Sequence, residues 1–141
     1  IGVIAILCPP DNNPLLAMVS LIAPALARGN AVVVVPSQPY ALIATDFYQV
    51  LETSDVPAGV VNILTGREEV LGKTLSEHQG VEAVWYFGAR DGMVNVEHRA
   101  TDSMKRTWVE LNGRDWVQNG EGPEFLSASC QVKNIWIPFK A

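Results

Sequence analysis

Two runs free of polar side chains, Ile1–Leu7 (IGVIAIL) and Ala31–Val35 (AVVVV), restrict the fold more than any other feature of the chain. A strand with one face in water alternates apolar and polar residues, whereas a strand that never alternates is covered on both faces. Between the two runs lies PLLAMVSLIAPALARGN, with Pro14 at a helix start and Gly29-Asn30 at its stop. Strand, helix and strand in that order form the repeating unit of a parallel sheet.

The alternation continues. A helix is predicted from about Tyr40 to Glu52, and Pro57-Ala58-Gly59 leads into a strand over Val60–Leu64 that Thr65-Gly66 closes. Glu68–His78 reads as a helix, Val81–Phe87 as a strand ended by Gly88, and Asp91–Thr101 as a helix. Thr107–Leu111 is a fifth strand, and Asn112-Gly113 after it is a strong turn signal. The order implies an α/β fold, a Rossmann-like, mainly parallel sheet with helices on both faces. After Gly113 the rhythm breaks. Asn119–Pro123 is a loop, and the last run, Val132–Phe139 (VKNIWIPF), mixes polar and aromatic residues and carries Pro138, as an edge strand would.

A length of 141 residues with 48% hydrophobic content is the size of one domain with an ordinary core. The formal charge of −5 and the lack of a basic cluster argue against nucleic acid and anionic membranes as partners. No apolar stretch is long enough to span a bilayer. Two cysteines, Cys8 and Cys130, make no disulfide framework in a domain this large, so both are expected reduced and the compartment cytoplasmic. His78 and His98 have no Cys or carboxylate at ligand spacing and read as surface residues, so no metal is expected. The chain opens without Met, and a piece of a longer polypeptide is expected.

Neither GxGxxG nor GxxxxGK[ST] occurs. Gly88-Ala89-Arg90-Asp91-Gly92 is a glycine-flanked turn at a helix start, where a phosphate could meet backbone amides, though a plain strand-to-helix turn explains it as well. Glu110 ends an apolar run just before Asn-Gly, and local sequence alone makes it the last residue before a turn.

Several ordered motifs resemble the aldehyde dehydrogenase superfamily. PDNNPLLAMVSLIAPALARGNAVVVVPSQ is similar to its Pro-Trp-Asn-x-Pro turn, a helix ending A-L-x-x-G-N and a strand ending K-P-S-E. VPAGVVNILTG resembles P-x-G-V-x-N-x-x-x-G; WYFGARDG stands in the place of F-T-G-S, and VELNG in that of E-L-G-G. The resemblance implies an NAD(P) cofactor domain. It assigns Asn12 to the slot whose amide holds the oxyanion formed when a thiolate attacks an aldehyde, and Glu110 to that of the base activating the deacylating water. Pro36, Ser37, Gly66 and Gly88 fall on cofactor-contacting positions. The chain departs from the pattern at Asp11 (for Trp), Val35 (for the ribose-binding Lys), Gln38 (for the acidic partner) and Phe87-Gly88-Ala89 (for Thr-Gly-Ser), and Gly92 comes one residue early.

The segment GPEFLSASCQVKNIWI resembles the family's closing oligomerisation strand, not a nucleophile loop around Cys130. The resemblance therefore divides the chain into residues 1–114, a truncated cofactor-type domain; 115–123, a junction in place of the catalytic domain; and 124–141, an oligomerisation-type segment. It implies a domain like the degenerate C-terminal half of long, two-part aldehyde dehydrogenases. Such a domain is inactive alone and supports assembly, with itself or the N-terminal half, as a homodimer or larger, through Val132–Phe139. Asn12 and Glu110 are then vestigial. The alternative is the cofactor-binding part of an active NAD(P)-dependent enzyme. A reactive Cys130 is a third reading, disfavoured because no basic or helix N-terminal neighbour lowers its pKa.

Overall fold

In a computed structural model describing residues 1–139, five parallel strands form one sheet in the order β3-β2-β1-β4-β5. They are β1 (Val3–Leu7), β2 (Ala31–Val35), β3 (Val61–Ile63), β4 (Ala83–Gly88) and β5 (Arg106–Leu111). The two central strands, β1 and β4, are the most completely buried, as their unbroken apolar runs require.

Four longer helices connect them: α1 (Pro14–Ala27), α2 (Ile43–Glu52), α3 (Glu68–Glu77) and α4 (Arg90–Ala100). Alternate strand residues build two cores. Ile4, Ile6, Val32, Val34, Trp85 and Phe87 pack under α1 and α2; Ala5, Leu7, Val35, Val84 and Tyr86 pack under α3 and α4. Helix α2 starts at Ile43, later than the sequence indicates, because a 3-10 turn, Gln38–Tyr40, precedes it. Pro24 lies inside α1, where it removes one backbone donor, and packing of Leu21, Ile22 and Ala25 carries the helix past it.

Beyond β5 the chain returns over the α1 face as two short helices, α5 (Trp116–Asn119) and α6 (Pro123–Ala128). Asp115 caps α5, its Oδ1 accepting from the N–H of Val117 (3.0 Å) and Gln118 (3.2 Å). Trp116 and Phe125, both 2% exposed, complete the first core, where Phe87, Trp108, Trp116 and Phe125 meet edge to face at 5.1–6.4 Å.

The edge strand expected over Val132–Phe139 does not form. Residues 131–139 pair with no other backbone. A strand exists only through its interstrand hydrogen bonds, and alternation of residue types cannot supply the neighbour.

Candidate active-site region at the carboxyl edge of the sheet

Ligands of open parallel sheets gather beyond the carboxyl ends of the strands. Asn12 follows β1 at that edge, and Glu110 lies near the same end of β5. With β4 between β1 and β5, the two strands stand roughly 10 Å apart. Asn12 is exposed. Its neighbour Asp11, in place of the family's Trp, accepts the Asn13 N–H at 2.8 Å and shapes the turn into α1.

Glu110 is fully engaged. Its Oε1 accepts from Trp108 Nε1 (3.0 Å) and Arg114 Nη2 (2.6 Å), and its Oε2 accepts from Arg114 Nε (2.9 Å). This two-pronged pairing fixes both carboxylate oxygens. Arg114 also donates to the Asn119 carbonyl (2.7 Å), reaches Glu124 (3.4 Å), and lies 5.1–5.9 Å from the ring centres of Trp108, Trp116 and Phe125. The Glu110 hydrogen bonds, chiefly, hold the guanidinium pKa above its ordinary value. The sequence reading missed Arg114. The signal available was a basic residue four positions beyond Glu110, but only the return of α5 and α6 turns it inward.

Neither cysteine joins this edge. The Cys130 carbonyl accepts from Arg106 at the start of β5, and the preceding Ser129 carbonyl accepts from Asn30 Nδ2 (3.0 Å) just before β2. Cys130 thus lies by the amino edge of the sheet; Glu110 is four residues along β5 from Arg106, about 13 Å. Cys8 ends β1 with its thiol pushed up to about 12, first by burial and then by the charge of Glu68, so it stays protonated.

The cofactor-type positions assemble in part. Pro36 and Ser37 are buried at the end of β2, and the Ser37 hydroxyl has no partner among the described residues. Gly66 is exposed before α3, and Gly88 is buried at the end of β4. Between α3 and α4 lies a cleft of about 820 Å³, lined by Glu68, Lys73, Tyr86, Asp91, Asn95 and Arg99 among others.

Three observations test whether a dinucleotide fits there. Val35 is buried and offers no donor where the family has lysine. Gln38, in the acidic slot, has its Oε1 taken by the Glu68 N–H (3.3 Å). The Tyr86 hydroxyl lies against the backbone of both Gly88 and Gly92, where an added Cβ would overlap it, and bonds the Ala89 backbone and Glu68. The turn in which α4 could present free amides to a phosphate is thereby filled, with the carboxylates of Glu68 and Asp91 beside it. These residues do not fit a dinucleotide's diphosphate. The early Gly92 has a local reason: it makes room for the tyrosine. Burial, then Glu68, raises the Tyr86 pKa, and burial likewise raises that of Glu68.

Among the described residues no group of three metal-ligating side chains occurs, and no helix is long and apolar enough to cross a membrane.

Comparison with known proteins agrees with this architecture. The pattern of the aldehyde dehydrogenase family matches residues 1–117. The chain is 35% identical over 115 residues to the NADP/NAD-dependent aldehyde dehydrogenase PuuC of Escherichia coli, covering 81% of this chain and 23% of PuuC. It is 36% identical to 2-hydroxymuconic semialdehyde dehydrogenase of Pseudomonas putida, covering 81% and 24%. In the crystal structure of an aldehyde dehydrogenase C mutant from Pseudomonas syringae, complexed with NAD+ and octanal, 23% of that chain superposes on 81% of this one, with a TM-score of 0.76 and 32% identity. The chain thus spans about a quarter of the length of these relatives. With the sheet order, the motifs and these matches in agreement, the chain belongs to the aldehyde dehydrogenase family.

Proposed function

We propose that this chain is a non-catalytic aldehyde dehydrogenase domain, cytoplasmic, that supports assembly of a longer NAD-dependent enzyme oxidising aldehydes. The observation that carries the reading is the pairing of Glu110 with Arg114. A general base needs a free lone pair within reach of a water, and both Glu110 oxygens already face fixed donors. Support also comes from the position of Cys130 at the opposite edge and the high pKa of Cys8, which leave no thiolate beside Asn12. The exposed apolar run Val132–Phe139 supplies a segment for a partner, either a second copy or the N-terminal half of the parent enzyme.

The alternative, the cofactor-binding part of an active enzyme, is favoured by the size of the α3–α4 cleft and the unpartnered Ser37 hydroxyl. Titration calorimetry of the purified chain with NAD+ and NADP+ separates the two. The proposal expects no saturable heat and no aldehyde-dependent reduction of either nucleotide; turnover would end it. Glu110→Gln provides an internal check. Because the carboxylate serves packing, the variant loses roughly 1–2 kcal/mol of stability in urea denaturation. An unchanged urea midpoint would argue that Glu110 is free for chemistry.

A further inference from the structure

The two edges of the sheet are unequal: β3 has three residues and β5 has six. The N–H groups of Arg106 and Asn112 donate to the carbonyls of Glu82 and Gly88 on the β4 side. Alternate residues of a strand point their backbone groups to opposite sides, so Thr107, Val109 and Leu111 turn theirs to the open edge. Beside that edge, on the α1 face, a hollow of about 310 Å³ is lined by Trp85, Arg106, Thr107, Trp108, Ser127 and Ala128, among others. The same chain carries an unpaired apolar run: Val132, Ile135, Trp136, Ile137 and Phe139 are 83–94% exposed. An open edge with a hollow and an extended segment with an aromatic anchor are complementary.

They cannot meet readily within one molecule. Every step towards β3 (β1 to β2, β2 to β3) carries its helix on the α1 face, and every step towards β5 (β3 to β4, β4 to β5) carries it on the α3–α4 face. All four crossovers therefore share one hand. The return through α5 and α6 runs on the α1 face, so docking Val132–Phe139 outside its own β5 in parallel would need the opposite, disfavoured hand. Antiparallel docking would need the run to start at the carboxyl end of β5. Asn30 and Arg106 hold Ser129 and Cys130 at the amino end.

Resting on the assembly reading above, we propose that Val132–Phe139 of one copy adds as a sixth strand to the β5 edge of a second copy, reciprocally, with Trp136 filling the hollow beside Trp108. Reciprocal exchange closes on a two-fold axis and gives a dimer. Pro138 is tolerated because the added strand is itself outermost.

Sedimentation equilibrium of the purified full chain tests this, with far-UV circular dichroism to check each variant's fold. Wild type is expected at twice the chain mass. Trp136→Glu removes the anchor, and Thr107→Pro removes an outward N–H without touching a bond to β4; each is expected to halve the mass. Leu111→Pro stands in should Thr107→Pro fail to fold. Mixing Trp136→Glu with Thr107→Pro leaves one intact edge and one intact segment, and a heterodimer reappears. If Trp136→Glu dissociates the dimer while both edge variants stay dimeric, the β5 site is overturned and the assembly reading survives. A monomeric wild type, or a dimer indifferent to Trp136→Glu, overturns both.

Discussion

At the scale of single residues, the carboxyl edge is occupied by contacts that serve the fold. Arg114 ties Glu110 to the aromatic cluster, and Tyr86 fills the α4 turn against Glu68. Glu68 gives this a measurable sign. Burial raises its folded-state pKa above the unfolded value. The protonated form is therefore the better folded one, and the stability it brings is complete below the ordinary carboxyl pKa and lost as pH rises through the raised one. Glu68→Gln keeps the shape and removes the charge. Thermal unfolding should show the variant more stable than wild type at pH 7, with the gain gone by about pH 4. A variant less stable at pH 7 would mean that the carboxylate is held by attraction, not merely buried. Residue-scale facts of this kind were only half legible in the sequence. That Val35 lacks a donor follows from its side chain; that Arg114 would face Glu110 depends on the path of residues 115–129.

Among the elements, legibility followed the strength of the local pattern. Both central strands and the span of α1 were readable because a doubly covered strand leaves an unbroken apolar run and a helix leaves Pro and Gly-Asn at its ends. The Val132–Phe139 strand was not, since pairing is a property of two segments and only one was in view. Asn30 shows a similar limit: in the sequence it is part of a helix stop, and in the structure it joins three elements. Its Oδ1 accepts the Gly2 N–H (3.0 Å), and its Nδ2 donates to the carbonyls of Ala25 (2.9 Å) and Ser129 (3.0 Å), all at 2% exposure. Asn30→Ala leaves several of these groups without partners away from water. The expected loss is roughly 2–3 kcal/mol, a fall in Tm on the order of 10 °C by circular dichroism. A fall of a degree or two would mean that solvent reaches the site and that α6 is not anchored through it.

For the molecule as a whole, the decisive contact is the return of residues 115–129 over the α1 face. Trp85, Phe87 and Trp108 would otherwise present an aromatic surface to water, and Trp116 and Phe125 cover it. Removing a buried Trp or Phe typically costs about 3–5 kcal/mol. Losing both would consume most of the roughly 7–20 kcal/mol expected for a domain of this length. Residues 132–139, by contrast, bury almost nothing in the isolated chain. Two truncations should therefore behave oppositely when studied at high dilution, where no second copy is available. A chain ending at Gln131 should unfold in urea within about 0.5 kcal/mol of the full chain, followed by tryptophan fluorescence and far-UV circular dichroism. A chain ending at Gly113 should lose its cooperative transition and aggregate through the uncovered aromatic face. Should the shorter chain unfold with an unchanged midpoint, α5 and α6 would be an appendage to the sheet, and the ion pair they impose on Glu110 would lose its structural basis.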